Sequence, residues 1–268
     1  SVGSIVFLSG VIAAYLLRAS VPPLPAILIA FTGSGVLLGL WNGFWIARFK
    51  IPPFIITLGM MIIAKGAGLF ISTQQAITVS NDLFHAIGHG TLSTPVTWGV
   101  FAVLAGLLVL ALVRELRQIR RQSPGKSPLA FWLKYAVLAG FLALLTWVFA
   151  GFRGLPWSVI VYGVVIAAGI FTLRKTRFGR RLYAIGGNEE AARLSGINIF
   201  RTKLSVYSLM TALAALAGLI TASRVGGAET TNGQLYELDA IAAVVIGGTS
   251  LPGGSGTVTG TVIGPFII

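Results

Sequence analysis

Leu24-Pro-Ala-Ile-Leu-Ile-Ala-Phe-Thr-Gly-Ser-Gly-Val-Leu-Leu-Gly-Leu-Trp-Asn-Gly-Phe-Trp-Ile46 runs directly into Ala47-Arg48-Phe49-Lys50-Ile51-Pro52-Pro53. No charge interrupts the first stretch, and two arrive together in the second. A helix needs roughly 20 apolar residues to cross a hydrocarbon core about 30 Å thick. A lipid-facing backbone must satisfy its own hydrogen bonds, which leaves helices or closed barrels. The apolar residues here are continuous rather than alternating, so the stretch reads as a spanning helix closed by a short basic loop.

The pattern repeats outward in both directions. Further apolar stretches are Val2–Leu17, Phe54–Ile71, Val96–Val113, Tyr135–Ala150, Trp157–Leu173, Leu204–Ala222, Leu238–Gly247 and Val258–Ile268, the last two being short. They predict an all-α, polytopic transmembrane helical bundle of about eight to nine spans, forming one membrane domain over 1–268. Composition agrees: 55% of the residues are apolar and only 10% charged, against roughly 25% charged in soluble domains. Mean hydropathy is +0.88. The chain opens on Ser1 and stops within an apolar run, so both ends read as cut from a longer protein.

The net charge of +13 raises the question of nucleic acid, and the placement of the charge answers it. Arg48 and Lys50 lie in the first basic loop. Arg114, Arg117, Arg120, Arg121, Lys126 and Lys134 lie in 114–134. Arg174, Lys175, Arg177, Arg180, Arg181, Arg193, Arg201 and Lys203 lie in 174–203. The loops between hold only Arg18, Arg153 and Arg224. Rich and poor loops alternate without a break, as cytoplasmic and external loops do. The basic residues therefore set topology in a membrane, and nucleic acid is not a partner. Residues 114–134 read as a charged linker broken by Ser123-Pro124-Gly125 and Ser127-Pro128. Ser72–Pro95, with no Lys or Arg, reads as an outer loop.

Within the most basic loop lies Tyr183-Ala-Ile-Gly-Gly-Asn-Glu-Glu-Ala-Ala-Arg-Leu-Ser-Gly-Ile197. Asn188 suits an N-cap. Glu189 and Glu190 oppose the positive helix end, Arg193 sits near the other end, and Gly196 suits the stop. About seven residues cannot hold a helix alone in water. The segment is either a surface turn or a helix that docks on a partner.

Other features carry weaker signals. Gly35, Gly39 and Gly43 share one helix face and read as close helix packing. Gly247, Gly248, Gly253, Gly254 and Gly256 surround Pro252, so a continuous helix is not expected there. That stretch is either a cytoplasmic turn, which we prefer, or a broken helix at a gate. Lys65 lies near mid-span, where a charge is costly and marks function or a structural pairing. Asn42, Lys65, Gly247, Gly248 and Thr249 are the candidates for a pathway or gate. Asp82, His85 and His89 have a spacing that can bind metal, but with no further ligand nearby we assign no metal site. With no cysteine there is neither a disulfide framework nor a thiolate site.

The 183–197 segment resembles the cytoplasmic coupling helix of ribose- and xylose-type sugar permeases of bacterial ATP-binding-cassette importers. Ser1-Val-Gly-Ser-Ile-Val6, Trp41-Asn-Gly-Phe44, Ile51-Pro-Pro-Phe-Ile-Ile-Thr-Leu-Gly59 and Tyr236–Gly254 are similar to the same family. The resemblance implies that Asn188, Glu189, Glu190, Ala191, Ala192, Arg193, Leu194, Ser195 and Gly196, within a coupling segment over 183–199, dock in a separate ATPase subunit. It implies two copies of the permease, two ATPase subunits below them and a periplasmic sugar-binding protein outside. The shorter ribose-type members lack 114–173, a basic loop plus two spans. That insertion looks like the longer xylose-type permeases and favours a pentose such as xylose.

An ion-coupled secondary transporter is the alternative. Such carriers usually hold acids or histidine within their spans, whereas the seven acids here lie in loops or at helix ends. An enzyme is not expected: no residue reads as catalytic, no cofactor is implied, and no Gly-x-x-x-x-Gly-Lys-Ser/Thr loop is present to bind ATP. The orientation is testable. Single cysteines replacing Ser123, Asn198 and Ser80, probed with an impermeant thiol reagent in spheroplasts, should label only at position 80. Labelling at either of the other two reverses the topology.

Overall fold

The computed structural model describes residues 1–122, 128–151, 154–250 and 253–267. It is built from helices, apart from one two-residue antiparallel pair, Ile77–Thr78 (β1) with Gly227–Ala228 (β2). Among the described residues six helices are long and apolar enough to cross a membrane: Pro23–Phe49, Pro53–Ile71, Thr94–Arg117, Phe131–Gly151, Trp157–Lys175 and Ile199–Val225. The sequence reading of eight to nine counted three stretches more. Their helices are α1 (Val2–Arg18), α12 (Tyr236–Ile246) and α13 (Val258–Ile263). At about 1.5 Å per residue α12 and α13 measure about 16 and 9 Å, so neither crosses a bilayer alone.

The chain divides into two compact units. The first comprises Ser1–His89 and Val161–Ile268. Its centre is α1, whose residues from Gly3 to Val11 are buried. Around α1 pack α2 (Pro23–Ala30), α4 (Pro53–Ile71) and α11 (Ile199–Val225). Small residues set the spacing. Gly218 of α11 meets Val6 and Ser9, and Gly10 of α1 meets Ala222. The Ser9 hydroxyl donates to the carbonyls of Val6 and Ala215, at 3.0 and 3.1 Å.

The stretch read first from the sequence is one long helix with a π-helical insert. It runs α2, then Phe31–Leu37 in π geometry, then α3 (Leu38–Phe49). The Thr32 and Ser34 hydroxyls donate to the carbonyls of Leu28 and Ala30, both at 2.6 Å. Such back-bonding bends helices, and π-turns are rare outside functional or strained places. Gly35, Gly39 and Gly43 all face α11. A Cβ on Gly39 would lie 2.5 Å from the Ser208 Cα and overlap the Thr211 hydroxyl; one on Gly43 would lie 2.9 Å from the Leu204 Cα.

The second unit, Gly90–Ile160, holds α6 (Thr94–Gln122) and α7 (Pro128–Gly151), which pack on one another. Glu115 accepts from Lys134 and from the Tyr135 hydroxyl, each at 2.8 Å. The charged linker expected over 114–134 is thus largely helix, because α6 continues past its apolar part. Its breakers Ser123, Pro124, Gly125 and Ser127, with Lys126, lie outside the described residues, as do Phe152, Arg153, Leu251, Pro252 and Ile268.

Glycine at position 39 admits α11 to backbone distance, so Gly39→Val should cost about 3 kcal/mol and lower the melting temperature in detergent. Gly33→Ala, where nothing lies within 4 Å, should change stability by no more than about 0.5 kcal/mol.

Candidate functional site

Residues 174–203 were expected to hold one short helix and hold two. The first, α9 (Arg177–Gly187), starts on Thr176, whose hydroxyl accepts from the Gly179 amide at 3.3 Å. The sequence reading missed it. Its signal was available: Arg177, Arg180 and Arg181 fall on one side of Phe178, Leu182 and Ile185, the pattern of an interfacial amphipathic helix.

The second, α10 (Glu189–Leu194), has the ends its residues foretold. The Asn188 carboxamide oxygen accepts from the Ala191 amide at 2.9 Å. At the far end the Ser195 amide bonds to the Ala191 carbonyl, Gly196 takes φ +78, and the Ile197 amide returns to the Ala192 carbonyl at 3.1 Å. The helix closes at Leu194 rather than Ser195, with Ser195 as its cap. Two ion pairs brace it. Lys203 of α11 reaches both carboxylate oxygens of Glu189, at 2.7 and 2.8 Å, and Arg193 reaches Glu190 at 2.6 Å. Ala192 is buried, whereas Leu194 is 80% exposed. A six-residue helix is therefore held on one face and offers Leu194, Ala191 and Glu190 on the other.

Apart from Leu251 and Pro252, which lie outside the described residues, the glycine-rich stretch is a non-helical turn region between α12 and α13. Gly247 closes α12 and abuts the Gly260 backbone, Gly248 takes φ +83, and Thr249 packs against Gly256. This turn rests on α9. A Cβ on Gly254 would lie 2.8 Å from the Gly187 nitrogen and 2.9 Å from the Gly186 carbonyl carbon. The Tyr183 hydroxyl donates to the Gly256 carbonyl at 2.9 Å. The Gly186-Gly187 and Gly253-Gly254 pairs hinted at this contact, but nothing in the sequence joined them.

The structure does not bring the pathway candidates together. Asn42 is fully buried in α3, and neither atom of its amide has a hydrogen-bond partner among the described residues. Lys65, on α4, instead lines a cavity of about 440 Å³ with Gly3, Ser4, Asn232, Gln234 and Glu237. Glu237 accepts from the Gly3 amide at 3.1 Å; the sequence reading had left it among the helix-end acids. At the end of α1 away from Gly3, the His85 ring is engaged with the Val79 carbonyl at 2.8 Å. His85 and His89 rings lie 6.3 Å apart.

Known proteins place this arrangement in a family. The family described as branched-chain amino acid transport system / permease component matches residues 1–268. The chain belongs to this permease family. It is 40% identical over 271 residues to the xylose transport system permease protein XylH of Escherichia coli, covering 100% of this chain and 68% of that protein. The corresponding XylH of Haemophilus influenzae is 40% identical over 253 residues, or 92% of this chain and 66% of the relative. The ribose import permease protein RbsC of Escherichia coli is 34% identical over 272 residues, or 100% of this chain and 66% of the relative. No solved structure matches significantly. As a permease component, the chain is a transport subunit and not an enzyme.

The cap makes a local prediction for this permease. Asn188→Ala should destabilise α10 by about 1 kcal/mol, accelerating amide exchange over 189–194 by about fivefold. Asn188→Asp should restore protection. Unchanged exchange in the alanine variant means that docking on α11 alone holds the helix.

Proposed function

We propose that this chain is the translocation subunit of an ATP-binding-cassette importer that carries a monosaccharide, a pentose such as xylose, across the bacterial inner membrane. The observation that supports this most is the likeness to xylose permeases along the whole chain. The importer reading is favoured over an ion-coupled carrier by the same likeness. Uptake of a panel of labelled sugars into vesicles holding the full complex tests it. Import should require ATP and should favour pentoses.

In this reading α10 is the coupling helix. Its support is geometric: the helix is capped at both ends, tied to α11 by Lys203, and offers an exposed leucine that has no role in its own fold. A cytoplasmic ATP-binding subunit would take Leu194, Ala191 and Glu190 in a groove. A periplasmic sugar-binding protein would deliver substrate at the face where β1 and β2 meet. The permease would act as a homodimer. The turn at Gly247, Gly248 and Thr249 would be a gate-side element moved through α9, and Asn42 a polar group in the α3–α11 interface that moves with it. Residues 114–173 would be a peripheral insertion. The count of eight to nine spans is reached if α1, at about 25 Å, crosses as well and α12 with α13 make up the rest.

Glu190→Arg and Ala191→Trp should each abolish assembly with the ATPase subunit or its stimulation by sugar. The Glu190–Arg193 pair is exposed and contributes at most about 1 kcal/mol to the fold, so insertion should persist. Normal ATPase binding and uptake in both variants would remove α10 as the coupling helix.

A further inference from the structure

We infer that the cavity between α1, α4 and the segment leading into α12 is a sugar-contacting site on the translocation path. The inference rests on the monosaccharide-permease reading above. Its volume of about 440 Å³ falls within the roughly 300–1,000 Å³ of small-molecule sites.

The position is deep. Ala228, in β2, approaches Gly10 of α1, whereas Gly233 abuts the backbone of Gly3. Seven residues of α1 separate those levels, about 10 Å. The chain from β2 to Tyr236 therefore descends along α1 as irregular backbone before α12 begins. Lys65 is likewise about 9 Å from the Ile71 end of α4 and about 18 Å from its Pro53 end. Irregular backbone at membrane depth is tolerated only where it is buried in protein or lines water, and here it walls a cavity. A lysine at such depth needs a reason. Lys65 takes part in none of the three ion pairs among the described residues.

The chemistry suits a polyhydroxylated ligand. A sugar hydroxyl both donates and accepts, and the ring carbons present an apolar edge. The Lys65 ammonium only donates, the Glu237 carboxylate only accepts, and the Asn232 and Gln234 amides do both. One Glu237 oxygen is fixed by the Gly3 amide at 3.1 Å, which orients the other. Neither side-chain amide is hydrogen-bonded among the described residues. Phe7, Ile62 and Leu69 supply the apolar wall. An ionic substrate would favour one charge over the other; the opposed charges and two amides favour a neutral one.

These 268 residues hold no cysteine, so Gln234→Cys places their one thiol in the cavity. In the full complex with ATPase and binding protein, labelling of that thiol by a small neutral maleimide should slow at least fivefold when transported sugar saturates. A sugar that is not imported should leave the rate unchanged. Gln234→Leu and Lys65→Met should each shift the uptake ratio between two imported sugars by about tenfold, the loss of one good hydrogen bond. Intact import with no protection and no change in preference removes the cavity's role alone. So does equal slowing by a sugar that is not imported, and so does a thiol unreactive in every state, which would mean that another protein surface fills the cavity. A wild-type complex that imports no monosaccharide removes the permease reading, and the cavity's role with it.

Discussion

Helices in lipid gain nothing from hiding apolar side chains, because the surrounding tails are as apolar as leucine. Association must come from close backbone approach and from polar groups satisfied across the contact. That constraint organises the first unit. α11 receives α1 at Gly218 and α3 at Gly39 and Gly43, and no side chain larger than hydrogen fits at Gly39 or Gly218. Three hydroxyls along the same seam are engaged. Ser9 bonds to Val6 and Ala215, Thr211 to Tyr207, and Ser223 to the Phe84 carbonyl. Asn42 of α3 stands apart, fully buried with an amide bonded to nothing among the described residues.

What the sequence made legible was whatever a local rule controls. The glycine spacing at 35, 39 and 43 foretold a packing face because four residues is nearly one helical turn. Asn188 and Gly196 foretold the ends of α10 because capping is a contest over a few amides and carbonyls. Span limits were harder. Hydropathy reports contact with lipid, whereas a helix continues wherever its own hydrogen bonds continue. α6 therefore runs on to Gln122 and α11 begins at Ile199, both beyond the apolar stretches. α12 and α13 are each shorter than a span, and they meet backbone to backbone, Gly247 against Gly260 and Gly264 against Ala243.

Non-local features were not legible. Nothing in Phe31–Leu37 announces π geometry, since the same hydroxyl back-bonds occur in ordinary helices. The descent of 229–235 beside α1 depends on Gly233 meeting Gly3, residues far apart in the chain. The candidate cavity follows from that one approach. Lys65 was read as a lone charge in a span because Glu237, Asn232 and Gln234 approach it only in three dimensions. The sequence could flag the cost of Lys65 but not the company it keeps.

The contact between α9 and the α12–α13 turn has a mechanical consequence. Gly186 and Gly187 meet Gly253 and Gly254 backbone to backbone, with no side chain between them. Side chains absorb small displacements by changing rotamer. A joint made of main chain has no such slack, so a shift of α9 by a fraction of an ångström is handed undiminished to the two half-helices. The four glycines make this joint between the basic loop and the half-helices a push-rod rather than a cushion.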